Sequence, residues 1–175
     1  MTLAWDDVNG IGRMATAAIV AAAIAAATIL GAYFFEYVLL YQPCPLCLTQ
    51  RIPYYVAIPV AAAVAIAAQA GTAPRLLAGG LVVVAIAMTI GAGLGVYHSG
   101  VEWKWWAGPS DCSGPIASFG TAGSLLRTIE TTPVIRCDEA AWRLFGLSLA
   151  GYNVLISAAI AGIALWGAAD DRKGA

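Results

Sequence analysis

Charge is what this sequence has least of. Of its 175 residues only 11% are Asp, Glu, Lys or Arg, against about 25% in an ordinary soluble domain. Four stretches contain none of them: 14–35, 52–74, 76–101 and 144–169. Each exceeds the roughly 20 residues a helix needs to cross a ~30 Å hydrocarbon core. A soluble fold is excluded, and four membrane spans are predicted. Ala-x-Ala patterns give the first stretch some likeness to a secretory signal, but signal apolar regions run only about 7–15 residues. A surplus of either sign is also missing. The net charge of −1 excludes nucleic acid as a partner. With both termini and the turn at Gly71–Arg75 on one side, that side holds Arg13, Arg75, Arg172 and Lys173. The other side holds Arg51, Lys104, Arg127, Arg136 and Arg143, so no positive-inside bias sets the orientation. A nucleotide loop is absent too, because Gly91, Gly93 and Gly95 do not make Gly-x-Gly-x-x-Gly. Gly91-x-x-x-Gly95 reads instead as a small-residue contact between helices.

What the chain does carry is four cysteines. All fall in the two segments predicted to share one side, 36–51 and 99–145. Every aromatic residue but Trp5 and Trp166 lies in those segments or near the span ends that meet them, as an interfacial belt would. Clustered, even-numbered cysteines suit an oxidising compartment, so this side is expected to be extracytoplasmic and the termini cytoplasmic. The fold expected is an all-α membrane protein: a four-helix transmembrane bundle with two extracytoplasmic cysteine-bearing loops. One integral domain covers 1–175, with spans near 14–35, 52–71, 76–98 and 146–168. The second span begins near Pro45 or Ile52, and Asp138 and Glu139 read as the first turn of a helix running through Trp142 into the fourth span.

Two cysteines form Cys44-Pro45-Leu46-Cys47, four residues before Arg51. Pro45 suits the first position of a helix. Cys47 then lies in the first turn, where free N–H groups and the helix dipole favour an anion, and Arg51 follows one turn along the same face. Both effects favour thiolate over thiol; the plainer reading is that Arg51 snorkels to headgroups. Covalent haem would need His after the second cysteine, where Leu48 stands. An all-cysteine zinc site would have to recruit the distant Cys112 and Cys137, whereas structural zinc sites use closer pairs. A Cys-x-x-Cys ring is short, and such disulfides exchange readily rather than staple. A disulfide between Cys112 and Cys137 could clasp the long loop, contributing roughly 3 kcal/mol. It could equally exchange electrons with the doublet.

These features resemble the bacterial disulfide bond formation protein B (DsbB) family over nearly the whole chain. The likeness rests on Gln42-Pro43-Cys44-Pro45-Leu46-Cys47 with Arg51 ahead of span two, and on the Cys112 and Cys137 loop between spans three and four. It also rests on Tyr97-His98-Ser99-Gly100-Val101-Glu102-Trp103 and Phe145-Gly146-Leu147. In the vitamin K epoxide reductase family the loop pair comes first; here the doublet does. The resemblance implies a protein-disulfide oxidoreductase in the bacterial inner membrane that generates disulfides. It would reoxidise a periplasmic DsbA-like thioredoxin-fold partner and pass the electrons to quinone, expected to be ubiquinone rather than menaquinone. It further implies that Cys112 forms the mixed disulfide with the partner and that Cys137 is its loop mate. Cys44 would receive the electrons, and Cys47 would meet quinone as a thiolate beside Arg51, with His98 in the quinone region. DsbA sits near −120 mV and stable structural disulfides below about −300 mV, so an ordinary staple would be uphill by roughly 8 kcal/mol for two electrons. The loop disulfide is therefore expected to be strained, exposed or drawn by the quinone step, and Gly108, Pro109, Gly114 and Pro115 beside Cys112 fit an accessible site. The alternatives are a relative serving another thiol partner, or a non-catalytic four-span protein with structural disulfides.

Overall fold

The computed structural model describes residues 3–109 and 137–169. Four helices follow the charge-free stretches: α1 (Leu3–Tyr33), α2 (Pro45–Gln69), α3 (Pro74–Glu102) and α4 (Leu149–Ala168). All four are long and apolar enough to cross a membrane. Helix α1 packs on α2 and α4, and α3 packs on α2 and α4, which closes a four-helix bundle. Its core is built largely from small residues. Ala17, Ala18, Ala21 and Ala25 of α1 meet Ala57, Ala61 and Val64 of α2, Leu81, Val84 and Met88 of α3, and Ile160 and Ala164 of α4. Small side chains let backbones approach, and such packing, rather than water exclusion, drives association between helices in lipid. Bulky apolar side chains point outward instead: Leu30, Ile66, Leu76, Ile90 and Leu165 are all exposed. An apolar exterior around an apolar core suits a bundle solvated by lipid.

Gly91 and Gly95 sit in the contact read for them in the sequence. A β-carbon at Gly95 would fall 2.8 Å from Val154 Cγ2 and 3.2 Å from the Ala150 carbonyl oxygen of α4. One at Gly91 would lie 3.3 Å from both Pro53 Cβ and Ser157 Oγ. This close approach of α2, α3 and α4 brings their polar side chains within hydrogen-bonding range.

At the cysteine-bearing end helix α2 begins at Pro45, the earlier of the two starts read from the sequence, with Cys47 in its first turn. Two departures from the sequence reading occur nearby. After Tyr33 the first helix widens into a π-helical turn over Phe34–Val38, which carries Glu36. The acids after Cys137 do not start a helix. The chain turns and forms a small antiparallel hairpin, β1 (Arg143–Leu144) with β2 (Leu147–Ser148), and α4 starts only at Leu149. Phe145 and Gly146 take φ of 50° and 84°, the pair of positive values a two-residue hairpin turn requires. Ser148 then caps α4, accepting from Gly151 N at 3.2 Å, a cap that outweighs the pull of Asp138 and Glu139. Aromatic groups crowd this end, as the belt reading requires: Tyr97 stacks on Trp106 and Phe35 packs edge-on against Trp142.

Candidate functional site

Cys44 stands at the cap of α2 in extended conformation, φ −73° and ψ 163°, with Pro45 as the first helical residue. The proline has no N–H to leave unpaired. Cys44 Sγ accepts the Cys47 N–H at 3.2 Å, doing with sulfur what Ser or Asp usually does with oxygen. The two sulfurs lie 2.8 Å apart, with Cys44 donating to Cys47. The sulfurs are not bonded to each other, and Cys47 holds the acceptor's place. The bond to Cys47, and then burial, push the Cys44 thiol up to about 12, against an opposing pull from the His98 hydrogen bond.

A third cysteine joins them. Cys137, 1% exposed, is buried in one small cluster with Cys44 and Val101, and Leu46 and Cys47 pack against it. The long loop therefore returns one of its two cysteines to the doublet. Cys112 lies outside the described residues.

His98, on α3, is 4% exposed. Its Nε2 is 3.8 Å from Cys44 Sγ and 3.9 Å from Glu102 Oε1. Its Nδ1 is 2.7 Å from Gln50 Nε2. From Gln50 the bonds continue across the bundle: Asn153 Nδ2 donates to Gln50 Oε1 at 2.7 Å, and the Tyr54 hydroxyl donates to Asn153 Oδ1 at 2.7 Å. Ser157 Oγ lies 3.0 Å from that hydroxyl. Helices α2, α3 and α4 each contribute, in a region where an unpaired polar group costs several kcal/mol. The sequence reading gave no site role to Gln50, Tyr54, Glu102, Asn153 or Ser157. The available signal was their chemistry: isolated polar side chains inside or at the end of apolar spans mark functional positions by default.

Arg51 lies on the same helix, but its guanidinium bonds elsewhere. Nη1 donates to Glu36 Oε2 at 2.6 Å, and the group stacks 5.2 Å above the Tyr33 ring. Glu36, absent from the sequence-derived site, thus ties the π-helical turn to α2. Arg51 and Cys47 still face one cavity of about 310 Å³, which Cys44, Tyr54, His98 and Trp142 also line. A largely apolar cavity with a few convergent polar groups suits a flat, lipid-soluble molecule. Cys44, Cys47 and His98 also place one ligand-type atom each within 4.8 Å of one another, a set whose number and softness would suit a metal ion. Three cysteines gathered beside a cavity can exchange disulfides in sequence, each step being attack of a thiolate on a neighbouring disulfide sulfur.

The comparisons with known proteins agree with this chemistry. The family model described as disulfide bond formation protein DsbB matches residues 14–167. An uncharacterised protein of Rickettsia prowazekii (strain Madrid E) is 28% identical over 130 residues, covering 72% of this chain and 71% of that protein. No solved structure matches the chain. Four apolar helices make it a multi-pass membrane protein, and the match spans the doublet, Cys137, His98 and all of the bundle but the first turns of α1 and the last residue of α4. The chain belongs to the DsbB family, membrane oxidoreductases that generate disulfides and use quinones.

Proposed function

We propose that this protein reoxidises a periplasmic DsbA-like dithiol protein and delivers the two electrons to membrane quinone, ubiquinone rather than menaquinone. The observation that carries the reading is the burial of Cys137 against Cys44 and Cys47, beside a cavity that Cys47 and Arg51 both line. A partner thiolate attacks Cys112 of a Cys112–Cys137 disulfide, and the bonding pair leaves on Cys137. The partner's second thiolate then resolves the mixed disulfide at its own sulfur and leaves Cys112 reduced. Cys137 attacks Cys44 of the doublet disulfide, and Cys47 leaves as a thiolate into the cavity. Cys112 next attacks Cys137, which restores the loop disulfide and releases Cys44. Quinone supplies the acceptor for two electrons and two protons, so that dithiol plus quinone becomes disulfide plus quinol and the doublet closes again. Arg51 places a cation in the cavity wall, paired there with Glu36, and His98 faces the sulfur that leaves last.

The reading places the protein in the inner membrane with its cysteine end periplasmic and both termini cytoplasmic. After mild reduction of intact cells, a membrane-impermeant thiol reagent is expected to label Cys112 or Cys137; labelling only after the inner membrane is opened would invert this topology. The activity is tested with purified protein in lipid nanodiscs, a reduced DsbA-like protein, and ubiquinone or menaquinone. The expected result is loss of two partner thiols per quinone reduced, dependent on all four cysteines. Oxidation that proceeds at the same rate without quinone would refute it.

A further inference from the structure

Whether Cys44, Cys47 and His98 form a metal site or a thiolate site turns on one proton. Nε2 of His98 faces Cys44 Sγ at 3.8 Å, and a nitrogen that carries hydrogen cannot coordinate a metal through the same atom. The location of that hydrogen is fixed from the far side of the ring. Gln50 Nε2 is within range of two acceptors, His98 Nδ1 at 2.7 Å and the Leu46 carbonyl at 3.3 Å, one for each of its hydrogens. Turning the amide over would set Oε1 against the Leu46 oxygen and also present Nε2 to the donor Asn153 Nδ2. Asn153 cannot turn to accommodate this. Its Nδ2 donates to the Gly91 carbonyl at 3.2 Å as well as to Gln50 Oε1 at 2.7 Å. Its Oδ1 accepts from the Tyr54 hydroxyl at 2.7 Å and from Ser157 at 3.3 Å. Two backbone carbonyls, on α2 and α3, therefore set the direction of both amides, and Gln50 donates to His98.

We infer that Gln50 and Asn153 are positioning residues that hold His98 with Nδ1 bare and the hydrogen on Nε2, so that it serves as a hydrogen-bond donor to the Cys44 sulfur and not as a metal ligand. The inference rests on the proposed relay for its use. When Cys112 attacks Cys137, the Cys44–Cys137 bond breaks and its electron pair stays on Cys44. The Nε2–H and the Cys47 N–H, at 3.8 Å and 3.2 Å, are then two donors already aimed at the leaving sulfur. Such help is needed, because a thiol with so high a proton affinity is a slow leaving group. Glu102 Oε1 lies 3.9 Å from Nε2, beyond hydrogen-bond reach, and its buried Oε2 has no hydrogen-bond partner among the described residues.

His98 is the chain's one histidine, so a protein labelled with 15N-histidine gives one imidazole to observe. The solid-state spectrum of the reduced protein in lipid is expected to show an unprotonated Nδ1 and a protonated Nε2. A hydrogen on Nδ1 with Nε2 bare, or a doubly protonated ring, overturns the inference, and neither result depends on quinone or partner. Gln50→Glu should invert the tautomer, because a carboxylate accepts a hydrogen from Nδ1. With Nε2 bare the three ligand atoms become available together, and the reduced variant should bind Zn²⁺ at least about tenfold more tightly than the natural chain, the scale on which such outer partners act. Equal zinc affinity in the two proteins would refute the assignment. Full quinone-dependent turnover with the wrong tautomer would sink the inference and spare the relay. The right tautomer in a protein without quinone activity would do the reverse.

Discussion

Replacing Arg51 should separate two contributions of one cation. Its Nη1 lies 2.6 Å from Glu36 Oε2, and the side chains are only 11% and 20% exposed. Unit charges at that spacing attract by about 6 kcal/mol at an effective dielectric near 20, and desolvation offsets much of this. Truncating one member strands the other, which costs about 3–5 kcal/mol for fully buried pairs. With partial exposure here, about 2–3 kcal/mol is expected for Arg51→Ala. Glu36→Gln combined with Arg51→Met strands no charge and should recover to within about 1 kcal/mol of the natural protein. Chemical denaturation in detergent measures both values. The quinone step should respond differently. Arg51→Ala and the double variant should both raise the apparent KM for quinone about tenfold, equivalent to ~1.4 kcal/mol, while mixed-disulfide formation at Cys112 stays near normal. Arg51→Lys should recover only part, because lysine keeps the charge and loses the planar fork. Steady-state kinetics with varied quinone decide the matter. A double variant with natural stability and natural quinone KM would reduce Arg51 to the partner of Glu36 and refute its part in the quinone step.

Three further outcomes are expected. Cys44 is raised from 9.0 to about 12, so it keeps its proton through the ordinary thiol range, and its alkylation by iodoacetamide should stay slow near pH 9 and accelerate only toward pH 12. By the same sign, the reduced protein keeps this contribution to stability below pH 9 and loses it as pH climbs from 9 toward 12; Cys47→Ala, which removes the largest cause, should bring the alkylation onset to lower pH. Cys137→Ala should trap a mixed disulfide between Cys112 and the partner, and Cys112→Ala much less, as read on non-reducing gels; equal trapping would remove the role assignment. Gly95→Ala places a carbon 2.8 Å from Val154 Cγ2 and 3.0 Å from Asn153 Nδ2 and should cost about 1–3 kcal/mol in denaturation, whereas Gly93→Ala, which meets nothing within 4 Å, should cost far less.

The bundle was legible because lipid leaves a one-dimensional record: stretches without charge mark helices, and Pro45 marks where the second of them begins. The site was legible only where its residues are neighbours in the chain. Cys44, Cys47 and Arg51 announce themselves within one segment, but Arg51 finds its strongest partner in Glu36, across a loop whose path no local pattern dictates. Gln50, His98 and Asn153 come from three helices and share no spacing, so their chain of bonds exists only once α2, α3 and α4 pack at Gly91 and Gly95. The hairpin before α4 was missed for a different reason. Asp138 and Glu139 carry a real helix signal, and the positive φ at Phe145 and Gly146 together with the Ser148 cap override it.

The sulfur that caps α2 is also a sulfur the chemistry rewrites. In the reduced protein the first-turn amide of Cys47 rests on Cys44 Sγ. Whenever that atom enters a disulfide it loses electron density as an acceptor, and when it returns as a thiolate it gains it. In the proposed relay the start of a membrane helix is therefore loosened and retied once per turnover, and the electron count of the doublet would be registered in backbone geometry. Because α2 also carries Gln50, Arg51 and Tyr54, its first amide lies only about one to two helical turns from side chains that line the cavity.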